Sequence, residues 1–414
     1  MKNEQPVRIL FITDNFPPEV NAPATRTYEH CKEWAKKGAE ITVITCAPNF
    51  PHGKVYKGYK NSLYRVEETE GIRVIRVWSY ITANKGFAKR VLDYISFAHS
   101  AFWAGLFQKT DIIVATSPQF FTTWAAWGLS KIKRKPWIFE LRDLWPESIK
   151  TVGAMKQGAA IELLEKIELG LYRSCDRVVA VTEAFRKNLI SRGIPADKID
   201  VVTNGSNMEL FHPREPNREL LRQLGLEGKF VVGYIGTHGM AHSLDFVVKS
   251  LKTVEEDPDI HFLFIGDGAM KESVVEQARK LDLRNVTFLN PVSKEEVPRY
   301  LSIVDLSLAP LKKSDTFKTV IPSKIFEASA MRKPTLLGVE GQAREILEKY
   351  GAGLAFEPEN REDFIDKLYR LKNDKALYKK AQEGCEELAR DFDRKRLAMK
   401  MFEILKDTVN SRTS

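Results

Sequence analysis

Short apolar runs alternate along the chain with longer amphipathic segments. In the first half the runs are Val7–Ile12, Ile41–Cys46, Val74–Trp78, Ile112–Thr116, Trp137–Leu141, Val178–Thr182 and Ile199–Thr203. In the second half they are Phe230–Ile235, His261–Ile265, Val286–Leu289, Leu306–Pro310, Thr335–Gly338 and Gly353–Phe356. Several are continuously apolar, the pattern of strands covered on both faces of a parallel sheet. Strand–helix alternation implies right-handed βαβ units, and so an α/β fold with a doubly wound sheet in each half. The turn-rich run NGSNMELFHPREPN, Asn204–Asn217, divides the halves. It places one Rossmann-like domain at 1–205 and a second at 206–385. A helical segment, 386–414, follows and is expected to pack back on the first domain. Sheets of this type bind ligands beyond the carboxyl ends of their strands, so two domains facing a central cleft would place the active site there.

Composition narrows the class. At 414 residues with 43% apolar and 29% charged positions, the chain can bury large cores, which excludes a disordered or disulfide-stapled protein. Cys31, Cys46, Cys175 and Cys385 are far apart and form no CxxC pair, as suits buried thiols in a reducing compartment. The polar start, Met1–Pro6, does not read as a signal peptide. Charge is uneven. Residues 1–205 hold 30 Lys+Arg against 21 Asp+Glu, a net +9, while 206–414 hold 34 of each. A basic half attracts an anionic surface or ligand.

The segment VLDYISFAHSAFWAGLF, residues 91–107, follows Lys85, Lys89 and Arg90 and is too short to span a bilayer. It reads either as a helix buried in the first domain or as an interfacial helix with a basic flank. Trp124–Leu129 followed by Lys131, Lys133, Arg134 and Lys135 repeats that arrangement. No nucleic-acid module is recognisable, so nucleic acid is not an expected partner.

Candidate chemistry concentrates in VIPSKIFEASAMRKPTLLG, residues 320–338. Pro322 suits a first helical turn, which places Ser323 and Lys324 where free N–H groups and a cation meet a phosphate. Glu327 follows one turn later and would hold a ribose diol. Gly236 ends one strand and Gly266 another, in turns suited to close approach to a diphosphate, with Thr237, His238 and His242 beside the first. FELRDLWPES sets Arg142 and Asp143 just past a strand, able to bind an anionic leaving group and orient a hydroxyl. Asn21, Ala22 and Arg26 follow the first strand in a long Pro-rich loop, a candidate acceptor loop. The DPD at 257–259 and DFD at 391–393 are poorly placed for a metal, and no metal or other cofactor is expected.

At these residues the sequence resembles the retaining glycosyltransferase family 4, of the GT-B fold, in the branch of bacterial O-antigen transferases of the N-acetyl-L-fucosamine type. NFPPEVNAPATR, FELRDLWPES, VVTNGSNMELF, GYIGTHGMAHSLD, FLFIGDGAMKE and PSKIFEASAMRKP carry the likeness, in order over nearly the whole chain. The resemblance implies that Glu327 holds the donor ribose, that the Gly236 turn meets the donor phosphates, and that Asn21–Ala22 replace a Gly-Gly turn. It matches Asp143 to the aspartate of a His-Asp pair. The chain departs from the pattern at Thr319, where a first glutamate is usual, at Arg142 in place of a histidine, and at Asn207 in place of an aspartate. The usual phosphate-binding Arg and Lys are missing from GTHGMAHSLD, and Lys324 is expected to replace them. The implied reaction moves a UDP-linked sugar, amino or deoxyamino, to a lipid-linked saccharide in envelope polysaccharide or O-antigen synthesis. The expected location is cytoplasmic, peripheral on the inner face of the cell membrane. A nucleotide-sugar 2-epimerase of the same fold and a non-catalytic scaffold are the alternatives.

Overall fold

A computed structural model describes residues 6–50, 52–82, 87–117, 120–144 and 159–413. The chain forms two compact units, Met1–Asn204 with Lys395–Ser414, and Gly205–Arg394.

The first unit is built on an eight-stranded sheet of order β3-β4-β2-β1-β5-β6-β7-β8. Its strands are β1 (Arg8–Ile12), β2 (Glu40–Cys46), β3 (Tyr64–Thr69), β4 (Ile72–Val77), β5 (Ile112–Thr116), β6 (Trp137–Leu141), β7 (Arg177–Ala180) and β8 (Ile199–Val201). All neighbours pair in parallel except β3 with β4. The apolar pattern leaves out β3, because YRVEET is a solvated edge strand with little to bury. Trp78, expected to end a strand, lies just past β4 and is 38% exposed.

The helices of this unit are α1 (Ala22–Lys36), α2 (Phe87–Leu106), α3 (Phe120–Lys133), α4 (Ala159–Ser174) and α5 (Glu183–Ser191). α1 starts where it does because Asn21 caps it, its side chain accepting from the Ala24 N–H at 2.9 Å, with Pro23 in the first turn. Arg26, expected in a loop, is therefore helical. α2 buries Phe97, Ala98, Ala101 and Ala104 under the sheet. Its opposite stripe, Leu92, Ile95, His99 and Trp103, faces solvent at helical spacing. It is thus half buried and half apolar-exposed, where the sequence offered one or the other. α3 packs on α2 through Leu129 at Gly105 and Gly128 at Phe102.

The second unit holds a six-stranded, fully parallel sheet of order β11-β10-β9-β12-β13-β14. Its strands are β9 (Phe230–Ile235), β10 (Ile260–Ile265), β11 (Val286–Leu289), β12 (Leu306–Pro310), β13 (Thr335–Gly338) and β14 (Gly353–Ala355). Helices α6 (Arg218–Leu224), α7 (Leu244–Leu251), α8 (Lys271–Lys280), α9 (Val297–Ser302), α10 (Lys324–Ala330), α11 (Gln342–Tyr350), α12 (Arg361–Asn373) and α13 (Lys375–Asp391) cover it. α13 packs on α10, and Cys385 and Leu388 join the core between them. The chain then returns to the first unit. α14 (Arg394–Thr413) inserts Leu397, Met401, Phe402 and Leu405 against the first sheet, and Trp34 of α1 donates to the Ala398 carbonyl at 2.8 Å. All four cysteines are buried and reduced.

Candidate functional site

In the second unit β9 and β10 end side by side, and their turns interlock. The Gly236 N–H donates to the Ile265 carbonyl at 2.8 Å, and His238 N–H to the Asp267 carbonyl at 2.8 Å. A Cβ on Gly266 would stand 1.9 Å from the Gly236 carbonyl oxygen, at φ +148. Gly266 is thus required for packing between the two turns. Gly236, at φ +144, leaves room for a cation instead: a Cβ there would meet the Lys324 ammonium at 2.9 Å.

That ammonium is the centre of the arrangement. Lys324 opens α10, and its Nζ sits 3.3 Å from the centroid of the Tyr234 ring. Nζ is buried and has no hydrogen-bond partner. Burial pulls its pKa down to about 7, opposed only by the Glu327 charge. The side chain is pinned across an aromatic face, a cation–π contact that returns part of the desolvation cost. Tyr234 is held in turn by its hydroxyl, which donates to the Thr237 carbonyl at 2.5 Å. Thr237 itself is exposed.

Two histidines flank this group. His238 is fully buried, with Nδ1 3.1 Å from the Gly236 carbonyl. A carbonyl only accepts, so Nδ1 carries the hydrogen and Nε2 is an acceptor without a partner. Burial lowers the pKa of His238, and lowers that of His242 to about 4 with help from the Lys324 charge. Both shifts favour the neutral ring, so of the three groups Lys324 is the one that takes up a proton most readily. Three basic groups with depressed pKa values crowd one spot, a site short of an anion.

Glu327 accepts from Lys294 at 2.6 Å, a residue that the sequence did not single out. Lys294 lies in the loop after β11, at a strand exit where the topology alone places functional groups. Ser323 is exposed, has helical dihedrals and makes no side-chain cap. α10 has only seven residues, so the case for an anion rests on the Lys324 side chain rather than on a helix terminus. Thr319 closes a short 3-10 turn, donating to the Thr316 carbonyl at 3.1 Å. Asn207 accepts from the Glu209 N–H at 2.9 Å in a local turn.

In the first unit Arg142 and Asp143 follow β6, both half-buried, their N–H groups on the Ser117 hydroxyl at 2.9 and 3.4 Å. Arg142 Nη1 reaches the Pro23 carbonyl at 3.2 Å, which brings the β6 exit to the start of α1, beside Asn21 and exposed Ala22. The rest of FELRDLWPES, from Trp145, lies outside the described residues, as does Lys85. Arg26 is turned inward. It is 3% exposed, pairs with Glu140 at 2.9 Å, and donates to the Val202 and Thr203 carbonyls. Its donors are used inside the fold, which removes the structural basis for placing it on an acceptor loop. Asn21 remains at a cavity of about 390 Å3 on this unit, with Pro23. Of the DPD and DFD carboxylates, Asp257 is paired with Lys372 at 2.7 Å and Asp391 accepts from the Tyr350 hydroxyl at 2.6 Å.

Among the described residues, no helix is long and apolar enough to cross a membrane.

Residues 21–205 match the family described as Glycosyl transferase 4-like domain, and residues 217–390 match Glycosyl transferases group 1. The chain is 25% identical, over 87% of its length and 90% of the relative's, to a putative colanic acid biosynthesis glycosyl transferase of Escherichia coli K12. It is 30% identical to a putative teichuronic acid biosynthesis glycosyltransferase of Bacillus subtilis, over 48% of this chain and 49% of that one. Among solved structures, Anabaena HepE in complex with UDP and glucose matches with a TM-score of 0.71 and 18% identity, covering 97% of this chain and 100% of that one.

Proposed function

The chain carries two glycosyltransferase domains in a GT-B fold and is an enzyme of glycosyltransferase type, and from that premise we propose that it transfers a UDP-linked amino or deoxyamino sugar, with retention, to a lipid-linked saccharide of the cell envelope. The observation that carries the donor half is the partnerless, buried ammonium of Lys324 above Tyr234, at the Gly236 turn, with His238 and His242 beside it. A diphosphate entering there supplies the missing counter-charge. In the reaction the bond from the anomeric carbon to the diphosphate breaks and a bond to the acceptor oxygen forms on the same face. The acceptor proton passes to the departing diphosphate. Lys324 stabilises the charge that develops on that group, and Glu327, oriented by Lys294, accepts the ribose hydroxyls. Relatives named for colanic and teichuronic acid synthesis, and the UDP complex of HepE, support this reading.

The lipid half rests on exposed apolar groups of the first unit. Trp103 is 52% exposed and Phe107 81%, and α3 adds Trp124 and Trp127. Exposed Lys89, Arg90, Lys131 and Arg134 accompany them, whereas Lys133 is used up in capping the Leu106 and Gln108 carbonyls. Such a surface binds the anionic face of a membrane peripherally, on the cytoplasmic side where the nucleotide donor is made.

The donor test is thermal unfolding of the full-length chain with UDP, GDP and ADP. UDP protection that Lys324→Ala abolishes supports the reading; equal protection of both proteins, or a UDP soak that places the diphosphate away from Lys324, overturns it. For the membrane half, sedimentation with anionic vesicles is expected to fall as salt rises, with no binding to neutral vesicles. Failure to sediment with any vesicle would remove that part.

A further inference from the structure

Lys271 opens α8 beside the glycine turn at the β10 exit, where a free cation would suit a phosphate. It is not free. Its Nζ donates to the Gly266 carbonyl at 2.8 Å, to the Leu289 carbonyl at 3.0 Å and to Asn290 Oδ1 at 3.2 Å. An ammonium has three N–H donors and no acceptor, so all three are spent on tying the β10 exit to the β11 exit. The third contact settles how the Asn290 amide sits. The amide atom that faces an ammonium is the oxygen, so the Nδ2 end is turned away from Lys271. Asn290 is exposed, and its Nδ2 has no partner among the described residues. In the same loop Ser293 donates to Glu296 at 3.2 Å and Lys294 to Glu327 at 2.6 Å, which leaves the Asn290 amide as the unengaged side-chain donor.

Topology says what passes this amide. Lys294, on the same loop, holds Glu327, which the transferase reading places on the donor ribose. That reading sets the diphosphate at the Gly236 turn of β9, and β10 separates β9 from β11. Two strand spacings are roughly 10 Å, the reach from a diphosphate across its ribose to the base. A nucleotide laid from Lys324 past Glu327 therefore brings its base to the β11 exit, beside Asn290.

We propose that Asn290 reads the base of the donor by donating from Nδ2 to a ring carbonyl, and that Lys271 is the positioning residue that keeps this end of the amide outward. Uracil presents the O4 acceptor where cytosine presents an N4 amino donor. The two rings are the same size, so a fixed donor pairs with the first and leaves two donors facing each other with the second. The inference deepens the transferase reading and rests on it for the place of the ribose.

The experiment is titration calorimetry of the full-length chain with UDP and CDP. UDP is expected to bind at least about tenfold more tightly than CDP. Asn290→Ala, on the surface, is expected to weaken UDP and not CDP, bringing the two within about threefold while the melting temperature stays unchanged. Asn290→Asp replaces the donor by an acceptor and is expected to shift the ratio towards CDP. Lys271→Met releases the amide to turn and is expected to narrow the ratio as Asn290→Ala does; Lys271→Arg, which can donate to the same oxygens, is expected to restore it. A role in holding the loop alone would weaken both nucleotides together and leave their ratio as it was. Equal or tighter binding of CDP by the parent, or an unchanged ratio in Asn290→Ala, overturns the proposal while UDP protection through Lys324 stands. An unchanged ratio in Lys271→Met removes Lys271 from it. If neither nucleotide binds the parent, the donor reading itself falls and this assignment with it.

Discussion

Lys324→Met tests the donor site through a cost that the unliganded protein carries. Methionine keeps the unbranched stem across Tyr234 and removes the charge. Lowering the ammonium pKa from 10.5 to about 7 withholds roughly 5 kcal/mol from the folded state at low pH. At pH 7, where about half of the folded groups are already deprotonated, the cost is still roughly 4 kcal/mol. The variant is therefore expected to be more stable than the parent without ligand. For a unit of this size the midpoint would rise by roughly 8–15 °C. A group with a depressed folded pKa destabilises fully below that value and less as pH rises toward 10.5, so the gap between the proteins should close between pH 7 and 10. With UDP at a hundred times its dissociation constant the parent gains about 2.7 kcal/mol, and the variant should lose most of that gain. Scanning calorimetry of both proteins, with and without UDP, at pH 7 and pH 9.5, reads all of this. A variant that melts below the parent at pH 7, or that UDP protects equally, would refute the reasoning.

UDP binding should also take up protons, because the diphosphate draws Lys324 back to its charged form. At pH 7.5 an apo pKa of about 7 gives uptake of ~0.7 proton, with affinity falling toward tenfold per pH unit above pH 7. Titration calorimetry in buffers of different ionisation enthalpy measures it, and zero uptake contradicts the placement. Gly266→Ala drives a methyl into the Gly236 carbonyl at a φ that L residues avoid, so chemical denaturation should show a loss of about 3 kcal/mol or more; a loss under about 1 kcal/mol would show that the turns do not interlock. Arg26→Ala leaves Glu140 charged and buried, and is expected to cost about 3–5 kcal/mol while the UDP dissociation constant stays within about twofold. A large change in UDP affinity with stability intact would give Arg26 a role that its contacts do not suggest.

Much of the architecture was legible in local pattern. Apolar runs of strand length separated by amphipathic helices record burial on both sheet faces, and that record survives in one dimension. The edge strand Tyr64–Thr69 escaped because most of its side chains face water and none is buried, so its pattern carries no burial signal. Asn21 and Pro23 are the capping chemistry that starts α1, although the Pro-rich run through Arg26 reads as a loop. Gly236, His238, His242, Lys324 and Glu327 were visible as residue types suited to a phosphate and a ribose, at strand exits and a helix start.

What those residues do to one another was not visible. Lys324 reads in sequence as a phosphate-binding cation at a helix start; only the pairing of β9 with β10 and β12, and the packing of α10 over their exits, slides its ammonium across Tyr234 and strips it of water. Glu19 and Asp93 come to line one cavity only where the β1 exit and α2 meet. Arg26 reads as a loop cation until α1 turns it onto Glu140. The division has one cause. Hydrophobic periodicity depends on neighbours three or four positions away and is written along the chain. Desolvation and charge pairing depend on neighbours that are distant in sequence, and these exist only once the sheets have formed.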